Sequence, residues 1–95
     1  MDFRLSLQER SALKSALSGF RGEVFLFGSR LNPAAKGGDI DIMLKSKEAK
    51  LFRDQITVKF LHHLEQKLDV VVYDERSPFC LEIIKHAKPL DPASL

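Results

Sequence analysis

An α/β (α+β) fold, a small mixed β-sheet with helices mainly on one face, is predicted by three features of the sequence. Aliphatic runs at Glu23–Phe27, Asp39–Lys45 and Leu68–Tyr73 have the length and composition of strands. The stretches before, between and after them carry apolar residues at helical spacing. The 95 residues, with 44% hydrophobic and 29% charged content, suit one globular domain spanning 1–95.

Each element can be justified in chain order. Ser6-Leu7-Gln8-Glu9 matches a capping box, in which Ser6 caps the helix and Glu9 reaches back to it. That first helix is expected to run to about Ser18, with Gly19 as its stop and Leu13, Ala16, Leu17 and Phe20 as its inward stripe. The strand Glu23–Phe27 is nearly all apolar and so is expected to be central. Residues 28–38 hold Gly28, Pro33, Gly37 and Gly38, which break regular structure. The second strand is read as Asp39–Lys45. Ser46 is read as the cap of a long helix over 47–67, with Phe52, Ile56 and Phe60 on one side. Leu51, Val58 and Leu61 fall nearly opposite, as a second apolar patch suited to a neighbouring helix or a partner. After the third strand, Ser77-Pro78 opens a last helix with Phe79, Cys80, Ile83, Ile84 and Ala87 inward, and Pro89 and Pro92 end it.

Strand alternation then sorts the faces. Ile40, Ile42 and Leu44, with Leu68, Val70 and Val72, form an aliphatic side for the helices to pack on. Asp39, Asp41 and Met43, with Asp69, Val71 and Tyr73, share the other side, which has little of the chain left to cover it. Asp39 and Asp41 have Cβ atoms roughly 6–7 Å apart, a span that lets two carboxylates converge on a divalent ion. Three unpaired carboxylates repel one another unless a cation neutralises them, so a Mg²⁺ site is the direct reading. Two solvated acids on an exposed strand is the bland reading of Asp39 and Asp41 taken alone.

Other candidates carry less. Gly28-Ser29 offers amides and a hydroxyl to a phosphate chain, or is an ordinary turn. Arg30 either grips a phosphate with two donors or is a solvated loop arginine, and Lys36 is a weaker candidate of the same kind. Tyr73 lines the same face, where pocket lining and packing are equally good readings. His62 and His63 are adjacent and so point apart on a helix, a poor arrangement for chelation. Cys80, the single cysteine, excludes an internal disulfide and suits packing in a reducing cytoplasm. The net charge of +2 gives no general nucleic-acid footprint, so nucleic acid is an unlikely partner. No apolar run approaches a membrane span, and the N-terminus has no signal-peptide core, which together imply a cytoplasmic protein.

Gly28-Ser29-Arg30 followed by Gly37-Gly38-Asp39-Ile40-Asp41-Ile42, with Asp69 on a later aliphatic strand, resembles the nucleotidyltransferase superfamily that includes DNA polymerase beta. The short length makes the chain similar to the minimal nucleotidyltransferases, which are often paired with a HEPN-domain protein as antitoxin and toxin. The resemblance implies a polymerase-beta-like fold and transfer of AMP from ATP to a hydroxyl, with two Mg²⁺ ions in the active complex. It implies catalytic and metal-binding roles for Asp39, Asp41 and Asp69, and nucleotide contacts from Gly28, Ser29, Arg30 and Gly38. It also implies a HEPN-type toxin as the partner that presents the acceptor hydroxyl, since the chain has no room for an acceptor domain. The sequence departs from many relatives in having Gly38 where they have Ser, which bears on the hydrogen bonding around Asp39. A non-catalytic antitoxin acting by contact, transfer to a small molecule, and a homo- or hetero-oligomeric state are the alternatives left open.

Overall fold

Three helices and three longer strands set the frame, and the pairing of the strands sets the site. A computed structural model of the protein describes residues 4–35 and 37–95. Lys36 and the first three residues of the N-terminal stretch therefore lie outside the described residues. Helix α1 spans Leu7–Ala16, and both halves of its capping box form: Glu9 N–H donates to Ser6 Oγ at 3.1 Å and Ser6 N–H to Glu9 Oε1 at 2.9 Å. Leu17 is the C-cap, so the helix stops short of Ser18.

Strand β1 (Glu23–Phe27) leads into a 3-10 turn at Gly28–Leu31, and β2 (Ile40–Lys45) returns antiparallel to it. Helix α2 (Ala49–His63) then crosses over to β3 (Leu68–Val72), which lies parallel to β2. Helix α3 (Pro78–Ile84) and a two-residue strand β4 (Lys88–Pro89) follow, with a last 3-10 turn at Pro92–Ser94. The sheet order is β3-β2-β1-β4, a small mixed α+β architecture. The fold class expected from the sequence is therefore the observed one. Among the described residues, no helix is long and apolar enough to cross a membrane.

Several boundaries differ from the expectation for local reasons. Asp39 precedes β2 instead of opening it. Ser46 does not cap α2: its hydroxyl accepts from Glu48 N–H at 3.1 Å and makes a tight turn before the helix begins. Strand β4 was not foreseen, because Pro89 reads as a helix stop. A proline is tolerated there because β4 is an edge strand.

Helices α1 and α2 bury Leu13, Leu17, Ile56 and Phe60 against Leu26, Ile40, Ile42 and Leu44. Phe20 and Phe52 close one end of that core edge-to-face, with centroids 5.5 Å apart. The opposite face is not bare. There α3 covers Phe25, Phe27 and Met43 with Cys80, Ile83 and Ile84 packed in. The expectation of an uncovered acidic face is corrected on this point, because β1 puts two phenylalanines on that face and they require cover. Phe79, expected to face inward, is 55% exposed.

Candidate active site

Cross-strand register builds the site. Phe27 pairs with Asp41 and Asp41 pairs with Asp69, so these three side chains form one row across the α3 face of the sheet. Helix α3 covers the neighbouring row, where Met43 is fully buried, and the carboxylates lie beyond it. Burial, reinforced by the charge of Asp69 and a hydrogen bond shared with it, raises the Asp41 carboxyl to about 6. The charge of Asp39 acts in the same direction and that of Lys67 against it.

Asp39 and Asp69 are joined through a residue that the sequence reading did not single out. Lys67 Nζ lies 3.7 Å from Asp39 Oδ2 and 3.6 Å from Asp69 Oδ1. Both contacts are longer than a strong charge-assisted hydrogen bond, and the lysine is well exposed. Its position just before an aliphatic strand was the available signal, but a lysine there usually reads as solvated. The structure thus brings Asp41 and Asp69 together directly and links Asp39 to them by a cation. Among the described residues, no group of three His, Cys, Asp or Glu side chains forms a ready-made metal set.

The predicted phosphate loop is shaped by glycines and laced by arginines. Gly28 adopts φ +81°, and a Cβ there would meet Asp41 Oδ2 at 2.5 Å. Only glycine gives both that backbone conformation and the space beside the carboxylate. Gly38 has φ +87°, and a Cβ there would meet Ser29 Oγ at 2.5 Å, so a serine in its place would displace Ser29. The departure from the resembled pattern thus has a local packing reason. Ser29 itself is exposed beside the loop.

Arg30 stands corrected as a nucleotide contact, because its five N–H donors already have protein acceptors. Nη1 and Nη2 each reach Glu9 at 2.7 Å, Nε and Nη2 reach the Gly38 carbonyl at 3.1 and 2.9 Å, and Nη1 reaches the Arg4 carbonyl at 3.2 Å. Arg4 adds bonds to the carbonyls of Asn32, Ser29 and Gly37. Burial works against the Glu9 carboxylate, yet bonds from Arg30, Gln66 and Ser6 hold it down at about 2. The pair spans 21 residues of sequence, so no local pattern announces it.

Tyr73 falls away from the site, and Cys80 packs as expected. Tyr73 sits beyond the far end of β3 from Asp69, under Lys45 Nζ at 5.0 Å from its ring centroid. Its packing reading is therefore the one that applies. Cys80 is buried, with Sγ 3.8 Å from the Val72 carbonyl.

The donors that Asp39, Asp41 and Asp69 would offer a divalent cation are of one chemical kind. They are all carboxylate oxygens, as such ions require. The Asp41 carboxyl, raised to about 6 by burial and by the charge of Asp69, gains from an added positive charge. The glycine at position 28 leaves main chain close to Asp41. No protein-family model matches the chain, and no curated protein matches it.

Proposed function

We propose that this protein is a nucleotidyltransferase that moves AMP from Mg-ATP to a hydroxyl group on a partner protein. One observation carries the reading: Asp41 and Asp69 stand in register on adjacent parallel strands, beside the Gly28 turn, with the Asp41 carboxyl raised to about 6. A half-buried acidic pair costs stability, which a purely structural strand would avoid by carrying apolar residues. By the resemblance described above, the partner is a HEPN-type toxin and the pair works in the cytoplasm.

The chain's own residues have separable tasks in this reaction. Asp39, Asp41 and Asp69 would hold two Mg²⁺ ions, which when bound neutralise the triphosphate and the charge that develops at the α-phosphorus. Lys67 leaves the carboxylates as the nucleotide arrives and is free to face a phosphate. Ser29 Oγ and the amides next to Gly28 hold the outer phosphates, and Arg30 keeps the loop in shape through the Gly38 carbonyl. Asp69 accepts the acceptor's proton. The acceptor oxygen forms its bond to the α-phosphorus as the bond to the β-phosphate oxygen breaks, and pyrophosphate leaves.

A second reading is favoured by Lys67, which partly neutralises the carboxylates without any metal. In that reading the protein is an antitoxin that blocks its partner by contact alone. The two are separated by incubating the protein with its partner, ATP and Mg²⁺ and weighing the partner by mass spectrometry. A transferase adds one AMP and leaves the partner inhibited after this protein is removed. An Asp39→Ala, Asp41→Ala double variant that neutralises the partner as well as the wild type, without ATP, would overturn the transferase reading.

A further inference from the structure

The two edges of the sheet are built differently. Strand β4 is two residues long and consists of Lys88 and Pro89, both of which discourage further pairing. Strand β3 is five residues long, Leu-Asp-Val-Val-Val, with no proline, lysine or bulge, and it forms the other edge of the sheet. Tyr73 N–H donates to the Leu44 carbonyl at 2.8 Å, so by the two-residue period Val71 and Asp69 also turn their main chain to β2. The main chains of Leu68, Val70 and Val72 face outward. Two open depressions lie along this edge, one lined by Lys50, Arg53, Val70 and Phe79 and the other by Thr57, Leu61, Glu65 and Leu68. On α2, Val58 and Leu61 are 64% and 56% exposed.

We infer that a second copy of this chain pairs antiparallel along β3, with a two-fold axis at Val70, to make one continuous eight-stranded sheet. This inference is independent of the transferase reading. The register follows from the outward groups: Val70 exchanges both its bonds with Val70 of the second copy, and Leu68 pairs with Val72, so all three outward residues are used. Helix α2 packs on β3, so the same axis brings the two α2 helices side by side and antiparallel. Their charges suit that arrangement. Lys47 and Lys50 at the start of one helix come toward Glu65, just past the end of the other. Leu61 lines the depression beside Leu68 and so lies toward the second copy. On the α3 face, Val71 of the second copy comes opposite Asp69, and its Tyr73 comes opposite Lys67. Each site thereby gains an aromatic wall from the other copy, next to the lysine that holds Asp39 and Asp69.

The full chain's molar mass by sedimentation over the micromolar range tests this. The expected result is a dimer that dissociates on dilution. Leu61→Glu, at an exposed helix position, should raise the dissociation constant at least tenfold and leave the circular dichroism unchanged. Val70→Pro, which removes the donor on the axis without touching the ladder to β2, should do the same. Tyr73 is the only tyrosine and there is no tryptophan, so intrinsic fluorescence should change along the same dilution curve. A monomer throughout that range would overturn the inference, as would a dimer unaffected by Leu61→Glu. A monomer that recruits only a strand from some other protein would overturn the second copy as occupant.

Discussion

Glu9 shows how one side chain serves three elements at once. It completes the α1 capping box, pairs with Arg30 in the loop after β1, and accepts from Gln66 ahead of β3. Removing one member of a buried pair strands the other's charge, so Glu9→Gln should cost about 3 kcal/mol in urea unfolding near neutral pH. The pH dependence has a definite sign. The folded carboxyl lies at about 2 against an ordinary 4.5. Its stabilisation is complete above the ordinary value and is lost as pH falls from there through the folded one. The gap between wild type and Glu9→Gln should therefore shrink steadily below about pH 4.5. A gap independent of pH would mean that the charge on Glu9 is not what holds the loop. The capping role was legible in the sequence, because a capping box is a local pattern. The Arg30 partnership was not, since tertiary packing alone brings the two together.

At the scale of elements, the turn after β1 ties backbone conformation to chemistry. Gly28→Ala puts a methyl group against the Asp41 carboxylate at a φ that L-residues rarely adopt. A loss of about 1–3 kcal/mol is expected from the strained conformation. The carboxylate must also shift, so calorimetry with Mg-ATP should show binding weakened more than stability alone explains. Gly37→Ala is the control, because a Cβ there meets nothing within 4 Å although its φ is also positive, +66°. If both variants lose Mg-ATP binding equally, strain in the loop matters and contact with Asp41 does not. Strand alternation had placed Asp41, Met43, Asp69 and Val71 on one face correctly. It could not show that α3 covers part of that face, because the need for cover comes from Phe25 and Phe27 on a different strand.

For the molecule as a whole, the acidic pair makes stability depend on pH in the sense opposite to Glu9. The Asp41 carboxyl is raised from 3.8 to about 6, so the folded state holds a proton that the unfolded chain has released. Stability from this group is complete below the ordinary value and is lost as pH rises through about 6. Asp41→Asn should accordingly be more stable than the wild type by about 1–3 kcal/mol near pH 7, and by much less near pH 4. Adding Mg²⁺ near pH 7 should recover part of that difference in the wild type alone, by binding the folded state. Denaturant melts of both proteins, with and without the ion, decide it, and an Asp41→Asn variant less stable than wild type near pH 7 would make the carboxylate a structural acceptor instead.

The sequence by itself determined the three helices and the three longer strands, the fold class, the α1 cap and the strand faces. Each of these follows from period, composition or a four-residue pattern, which act over neighbouring residues. Only the tertiary structure decided that Lys67 bridges Asp39 and Asp69, that Arg30 spends all its donors on the protein, and that β3 rather than β4 offers an open edge. Those outcomes depend on which residues meet across strands and helices far apart in the chain. Where charges meet also sets their energy, so two aspartates that look alike in sequence differ in kind once one is half-buried beside a third.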